Sequence, residues 1–351
     1  MAGPPRCELC GARPAPRPCP RCRRARYCDA SHQSTDWSSI QGRLCALPGP
    51  ARPGPRPGQR GGLSAEQLPG TQKAMVEVAS STARGFLREG KALEALPAAL
   101  QALRGTARLF GWSSLQLVPI HLLLAEASMG TGNLRQASKY LSEAEWIILQ
   151  SSDCGAALRA RLHRGLGLFS AAQGKLDQAL YHLANDVYLS TSAFGTNSIE
   201  VSEGYFHMAN IFLRQNKMDV ANSLYTEVTA LWHSRLLSSL RERRRRLRAR
   251  PAPFADGEEE PEEGLTEAQQ EEATRVLQAL LGVWEQQQHP QETVQVLHSL
   301  AMLHFLGMDL PKAREVGMKA FDLAKELPQQ ESLETIGHLL ELINASSSHT
   351  K

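Results

Sequence analysis

From Thr71 onward the chain runs in long amphipathic stretches rich in Ala and Leu and poor in β-branched residues, a pattern that predicts helices. The stretches repeat. Aligning KALEALPAALQAL with NLRQASKYLSEAE, KLDQALYHLANDV and KMDVANSLYTEVT puts Ala95, Ala137, Ala179 and Ala221 in register, each 42 residues after the last. Twelve positions before each alanine stands a small residue: Ala83, Ala125, Gly167 and Ala209. Five positions before it stands a turn former: Gly90, Gly132, Gly174 and Asn216. The strings FGWSSLQL from Phe110 and FGTNSIEV from Phe194 echo one another 84 residues apart, which is two periods. Four copies in phase favour a solenoid of helix–turn–helix units over an ordinary bundle with fortuitous spacing. The small residues have a mechanical reason, because two antiparallel helices approach to about 8–10 Å only where a side chain is small.

This punctuation divides the chain. Residues 46–70 are rich in Pro, Gly and Arg and read as a linker. The repeats occupy 71–233. Phase is lost after Trp232. Residues 241–250 then hold seven arginines and residues 256–263 hold six acids, so 234–265 reads as a charged, disordered insertion. C-terminal helices follow over 266–345. They include a further hairpin in which Ala301 and Ala313 are again twelve apart. The expected fold class is mostly α, a small metal-binding finger over residues 1–45 followed by an α-solenoid.

Cysteine usage sets the chemistry. Six of the seven cysteines lie in the first 45 residues, with the spacing Cys7-x2-Cys10-x8-Cys19-x2-Cys22-x5-Cys28-x3-His32 and closing at Cys45. The N-terminal MAGPPRCELC has no apolar core of a signal peptide, so metal ligation in a reducing compartment is expected in place of disulfides. Two C-x2-C pairs followed by two more ligand pairs suit two zinc ions, each taking four N or S ligands. A segment this small cannot fold on burial alone, so the metal is its folding energy.

The two knuckles, the Tyr27-Cys28 step, His32 and the Asp36-Trp37 pair resemble a MYND zinc finger. The resemblance implies an interleaved two-zinc module in which Cys7, Cys10, Cys28 and His32 hold one ion and Cys19, Cys22 and Cys45 hold the other. The family places a histidine about four residues before the last cysteine. Here Gln41 stands there, and residues 33–45 contain no histidine. Zn2+ is therefore expected at one complete site and one that is a ligand short. Three ligands with an activated water would suit catalysis, but this Arg/Pro-rich stretch suggests neither a base nor a cleft. MYND fingers imply recognition of short proline-containing peptides.

The period and the small-residue positions resemble tetratricopeptide repeats of the 42-residue kinesin-light-chain kind. The resemblance is close over 76–232 and looser over 294–326. It implies a superhelix whose inner face, from the first helix of each repeat, binds a partner protein. On that geometry Arg161, Arg164, Phe206, Asn210 and Arg214 line the groove, and converging arginines would favour an acidic segment. A finger followed by such an array resembles an axonemal adaptor of the cilium or sperm flagellum. That implies another tetratricopeptide protein or an axonemal protein as partner, though composition and spacing do not show the location. The alternative is a nuclear transcriptional cofactor, with the arginine run as import signal.

The remaining features weigh against other classes. The net charge of +3 does not imply a nucleic-acid surface, and no apolar run reaches membrane-spanning length. No phosphate loop, nucleophile elbow or paired-histidine motif occurs, so neither an enzyme, a small-molecule substrate nor a further metal site is expected. Cys154 stands alone and reads as an inert thiol.

Overall fold

The computed structural model describes residues 4–23, 25–46, 68–248, 265–328 and 330–348. Strands β1 (Arg17–Pro18) and β2 (Arg26–Tyr27) pair antiparallel. Helix α1 (Ala30–Asp36) runs through a π-helical turn, Trp37–Gln41, into α2 (Gly42–Leu44). Then come α3 (Leu68–Arg88), α4 (Ala92–Phe110), α5 (Val118–Gly130), α6 (Leu134–Gln150), α7 (Ala156–Ala172) and α8 (Leu176–Phe194). The chain continues with α9 (Ile199–Arg214), α10 (Met218–Arg248), α11 (Glu267–Gln287), α12 (Pro290–Leu306), α13 (Leu310–Lys325) and α14 (Gln330–Ser348). None of the described helices is long and apolar enough to cross a membrane.

Each aligned quartet does one job. Gly90, Gly132, Gly174 and Asn216 all take left-handed φ, between 58° and 79°. The next amide donates to the carbonyl five residues back, Lys91 to Phe86, Asn133 to Ser128, Lys175 to Ser170 and Lys217 to Phe212. This closes each first helix and aims the chain into the second. Glycine meets the left-handed requirement without a Cβ penalty, and asparagine tolerates it. The same bond recurs at Asp309 to His304 beyond Met308 and at His289 to Trp284 beyond Gln288, both also left-handed. The C-terminal helices therefore use the same turn, at residues whose side chains do not advertise it. The longer echo is structural too: Gly111 and Gly195 both end their helices at φ 87°.

The small residues sit where helices touch. Ala83, Ala125, Ala209 and the four aligned alanines are at most 1% exposed. At Gly167 on α7 a Cβ would lie 2.8 Å from Leu183 Cγ and 3.3 Å from the Ala179 carbonyl oxygen on α8.

The chain divides into two compact units, residues 1–189 and 190–351. The first has an alanine-rich core, with Ala79, Ala98, Ala99 and Ala102 packed beside Leu117, Leu124, Leu141 and Ile147. The second is built on aromatics: Phe206, Tyr225, Trp232 and Trp284 pack with Leu277, Leu280 and Ile336, and Tyr225 meets Trp284 edge-on at 6.1 Å. Its α12 is apolar nearly all round, as a helix packed on several sides must be.

The stretch expected to be a disordered insertion from residue 234 begins as helix. Helix α10 continues to Arg248 because Leu236, Leu237 and Leu240 keep helical spacing and pack into the second core. Arg243 of the arginine run donates to the Phe305 and Leu306 carbonyls at 3.3 Å and lies 5.2 Å over the Phe305 ring, capping α12. Residues 249–264 lie outside the described residues, as does the linker from 47 to 67; α3 begins at Leu68.

Two outcomes follow. Gly167→Leu forces a branched side chain into the α7–α8 contact, where overpacking costs about 1–3 kcal/mol; chemical denaturation should show a loss in that range. In the second unit His233 Nε2 and His298 Nδ1 lie 3.2 Å apart, and burial lowers both imidazoles, His298 to about 3. A base whose folded pKa is depressed contributes stability above its ordinary 6.5 that is lost as pH falls toward 3. Stability should therefore decline below pH 6.5 by up to about 1.4 kcal/mol per pH unit per histidine. His298→Gln should flatten that slope in denaturation curves taken across the range.

Candidate metal centre

The finger is assembled from two knuckles of one design. Cys7 accepts the amide of Gly11 on its carbonyl, and Cys19 accepts that of Arg23, both at 2.9 Å. Gly11 and Arg23 take left-handed φ of 74° and 54°. The Cys7 and Cys19 amides donate onward to the Ala12 and Ala25 carbonyls. Each two-residue spacer thus folds back and leaves both sulfurs on one side. The third pair comes from α1. Asp29 caps that helix by accepting the His32 amide at 2.7 Å, which sets the His32 ring beside Cys28.

Two ligand groups result. Cys7, Cys10, Cys28 and His32 converge with all donor atoms within 4.8 Å of one another, as do Cys19, Cys22 and Cys45. These match the two sets expected from the finger resemblance. Tetrahedral zinc with Zn–S bonds of about 2.3 Å needs sulfurs about 3.8 Å apart. Cys10 and Cys28 lie 3.7 Å apart, and Cys19 and Cys45 lie 4.0 Å apart. His32 Nδ1 is 2.8 Å from the Cys28 sulfur and 3.9 Å from that of Cys7. The donor chemistry therefore fits zinc at both groups, fully at the first.

Electrostatics point the same way. Burial raises the Cys7 thiol, but the backbone amides of Cys10, Cys28 and Leu9 outweigh it and hold the thiol at about 6. Desolvation first, then contacts with Asp29, Cys10 and Cys7, pushes Cys28 up to about 12. Cys45 is pushed up to about 11 by desolvation and by Cys22 and Cys19. In the first group a sulfur that ionises readily beside one that resists is a pair that a divalent cation would neutralise.

The fourth corner of the second group is held by Gln41. It is 6% exposed, and its amide Nε2 donates to the Cys22 sulfur at 3.4 Å. Among the described residues no His, Cys, Asp or Glu completes that set.

The finger does not hang free. Ile40 and Leu44 are buried in the core of the first unit with Ala79, Ala83 and Ala98 of α3 and α4. Ser39 donates to the Glu94 carbonyl at 2.6 Å, Arg43 to the Thr82 hydroxyl at 3.0 Å and Arg104 to the Leu9 carbonyl at 3.1 Å. Burying two such aliphatic side chains is worth about 3–6 kcal/mol as an upper bound. Below the seat, Tyr27 donates at 2.7 Å to Asp36, a fully buried carboxyl whose pKa burial raises. A Pro/Gly-rich linker suggests independent parts; the apolar faces of Ile40 and Leu44, read in sequence as part of a small finger, bring them together.

The groove residues separate. Arg164 is spent inside the third hairpin, where its Nε and Nη2 donate to the two carboxylate oxygens of fully buried Asp186 at 2.7 and 3.1 Å. Phe206 is a core residue against Tyr225, and Asn210 accepts the Tyr225 hydroxyl at 2.7 Å. Arg161 and Arg214 are exposed but belong to different units. Arg164, Phe206 and Asn210 are thus engaged within their own hairpins, and for Arg164 the reason is that a charge facing its hairpin partner must be neutralised there.

Sequence reasoning also missed two histidine pairs, His163 with His182 and His233 with His298, each at 3.2 Å. Their members lie 19 and 65 residues apart, beyond any local motif. The exposed aromatics Trp146 on α6 and Tyr188 on α8 were missed as well, although their spacing of one period is the signal that could have found them. Cys154 is half-buried, and burial raises its thiol, as suits an inert residue.

Residues 7–45 match the family described as MYND finger, a zinc-binding module. Solved structures sharing the helical-repeat form include a putative kinesin light chain with nearly identical TPR-like repeats from Podosopora anserina. It is 14% identical, covering 75% of this chain and all of that one, with a TM-score of 0.37. BtubC from P. vanneervenii is 14% identical over 79% and 84% of the two chains, at a TM-score of 0.34. PilF of Pseudomonas aeruginosa is 14% identical over 76% and 98%, also at 0.34. The fold itself rests on the hairpin geometry above.

Gln41→His replaces a weak amide donor with an imidazole, the ligand type zinc accepts. Elemental analysis of the full chain after mild chelation should find between one and two zinc ions in the wild type and two in the variant. Equal retention would mean that position 41 is not the missing corner.

Proposed function

Because residues 7–45 are a MYND finger seated on an array of tetratricopeptide-like hairpins, we propose that this chain is a non-enzymatic adaptor that grips a protein partner and offers the finger as a second contact. Both modules are interaction modules. The observation that carries the reading is a pair of aromatics in repeat register. Trp146 and Tyr188 stand at the same position of successive second helices and are 52% and 72% exposed. Large exposed apolar side chains recurring at one repeat position are what an array presents to a partner. The first-unit surface adds exposed Tyr181 and Leu149 on the same two helices.

The finer reading, a component of the ciliary or flagellar axoneme, rests on the resemblance of the domain order. The nuclear alternative loses one support, since Arg243 of the proposed import signal is occupied in capping α12.

Affinity capture with mass spectrometry, run on the wild type and on the Trp146→Ala/Tyr188→Ala double variant, tests the adaptor reading. Truncating an aromatic anchor costs about 2 kcal/mol or more. Specific partners should fall at least about tenfold in yield while the circular dichroism spectrum is retained. Undiminished capture would remove this surface from the proposal. A tagged chain along axonemes, against one in nuclei, separates the two locations.

A further inference from the structure

The seating of the finger creates a space that neither part has alone. Between it and the first hairpin lies a cavity of about 310 Å³. It is lined by Cys22, Cys45 and Gln41 of the finger and by Met75, Val76 and Arg108 of α3 and α4. That volume is at the lower end of small-molecule pockets. Two of the three sulfur residues of the incomplete group therefore border a space large enough for an added donor, as does the residue in the missing corner. The first group has no such need, since four ligands of its own converge.

We propose that the Cys19–Cys22–Cys45 group is an open-sided zinc site that takes its fourth donor from outside the chain, a small anionic thiol entering through this cavity. Three observations select that chemistry. The set is sulfur-only, and soft thiolates favour the same metals, so a fourth sulfur completes it best. The cavity wall is apolar at Met75, Val76 and Leu44, which suits a thiol's short carbon chain. Its charged side chains are Glu8 and Arg108, and Glu8 is turned to Gln101 at 3.3 Å and to Arg104 at 3.6 Å. Arg108 remains as the cation toward which an acidic tail would point. On binding, the thiol loses its proton to solvent as its sulfur joins the three already present. Gln41 is the cover that yields, because its Nε2 gives the Cys22 sulfur a long hydrogen bond of 3.4 Å, and an amide is a far poorer zinc ligand than a thiolate.

The test uses the full chain loaded with cobalt(II) in place of zinc and titrated with 2-mercaptoacetate, read by visible absorption. The wild type should bind two cobalt ions and show a saturable rise in the d–d and sulfur-to-cobalt bands. Gln41→His, which closes the corner from within, should start with the fuller spectrum and not respond. Arg108→Ala should weaken the response about two- to fivefold, the range of a single exposed charge pair. The neutral 2-mercaptoethanol should bind the wild type more weakly by a similar factor. A second cobalt that never binds would overturn the proposal. So would a wild-type spectrum that the thiol leaves unmoved, an equal response in Gln41→His, or loss of cobalt on gel filtration after thiol addition.

Discussion

The rest of this molecule depends on how closely two antiparallel helices can pack before their side chains collide. In the four aligned hairpins small residues are buried on both helices, Ala or Gly on the first and Ala on the second, and in the third Gly167 closes on Ala179. At Gly167 there is no room for even one carbon more. Such a contact removes few large apolar atoms from water, so each hairpin is weak alone and gains stability from its neighbours. That accounts for the alanine-rich core of the first unit. The second unit departs from the solution. Its core carries two buried tryptophans whose indole nitrogens find no acceptor among the described residues, and its longest helix runs 31 residues.

The finger inherits its place from the same packing. A module of about forty residues has too little apolar surface to fold on burial alone. This one combines metal ligation with a seat on α3 and α4, and the two are joined in one short segment. Ile40 and Leu44 face the hairpin, while Gln41 between them and Cys45 after them face the second ligand group. The docking residues and Cys45 of the second ligand group are therefore carried by one short helical segment. The finger and the first hairpin share one core within the first unit.

Several polar side chains between helices are answered across a hairpin or within a core. Arg164 and Asp186 answer one another across the third hairpin, and burial lowers the pKa of both histidine pairs. Among the aromatic side chains left exposed in the first unit, Trp146 and Tyr188 recur at one repeat position.

Contiguous sequence by itself determined the helices, their hairpin pairing, the left-handed turn residues, the alanine contacts and all seven finger ligands. Each of these is a local signal: a spacing of two between cysteines, of five between turn residue and alanine, of twelve between small residues. Local chemistry dictates such features because the atoms that enforce them are within a turn or two of one another. Tertiary structure alone decided the docking of the finger and the cavity beneath it. It also decided the pairing of Arg164 with Asp186, the meeting of His233 with His298 and the run of α10 to Arg248. Those depend on which faces meet after folding. A charge that reads as free on one helix is neutralised by another 22 residues on, and a glutamine that reads as a missing ligand becomes the wall of a cavity.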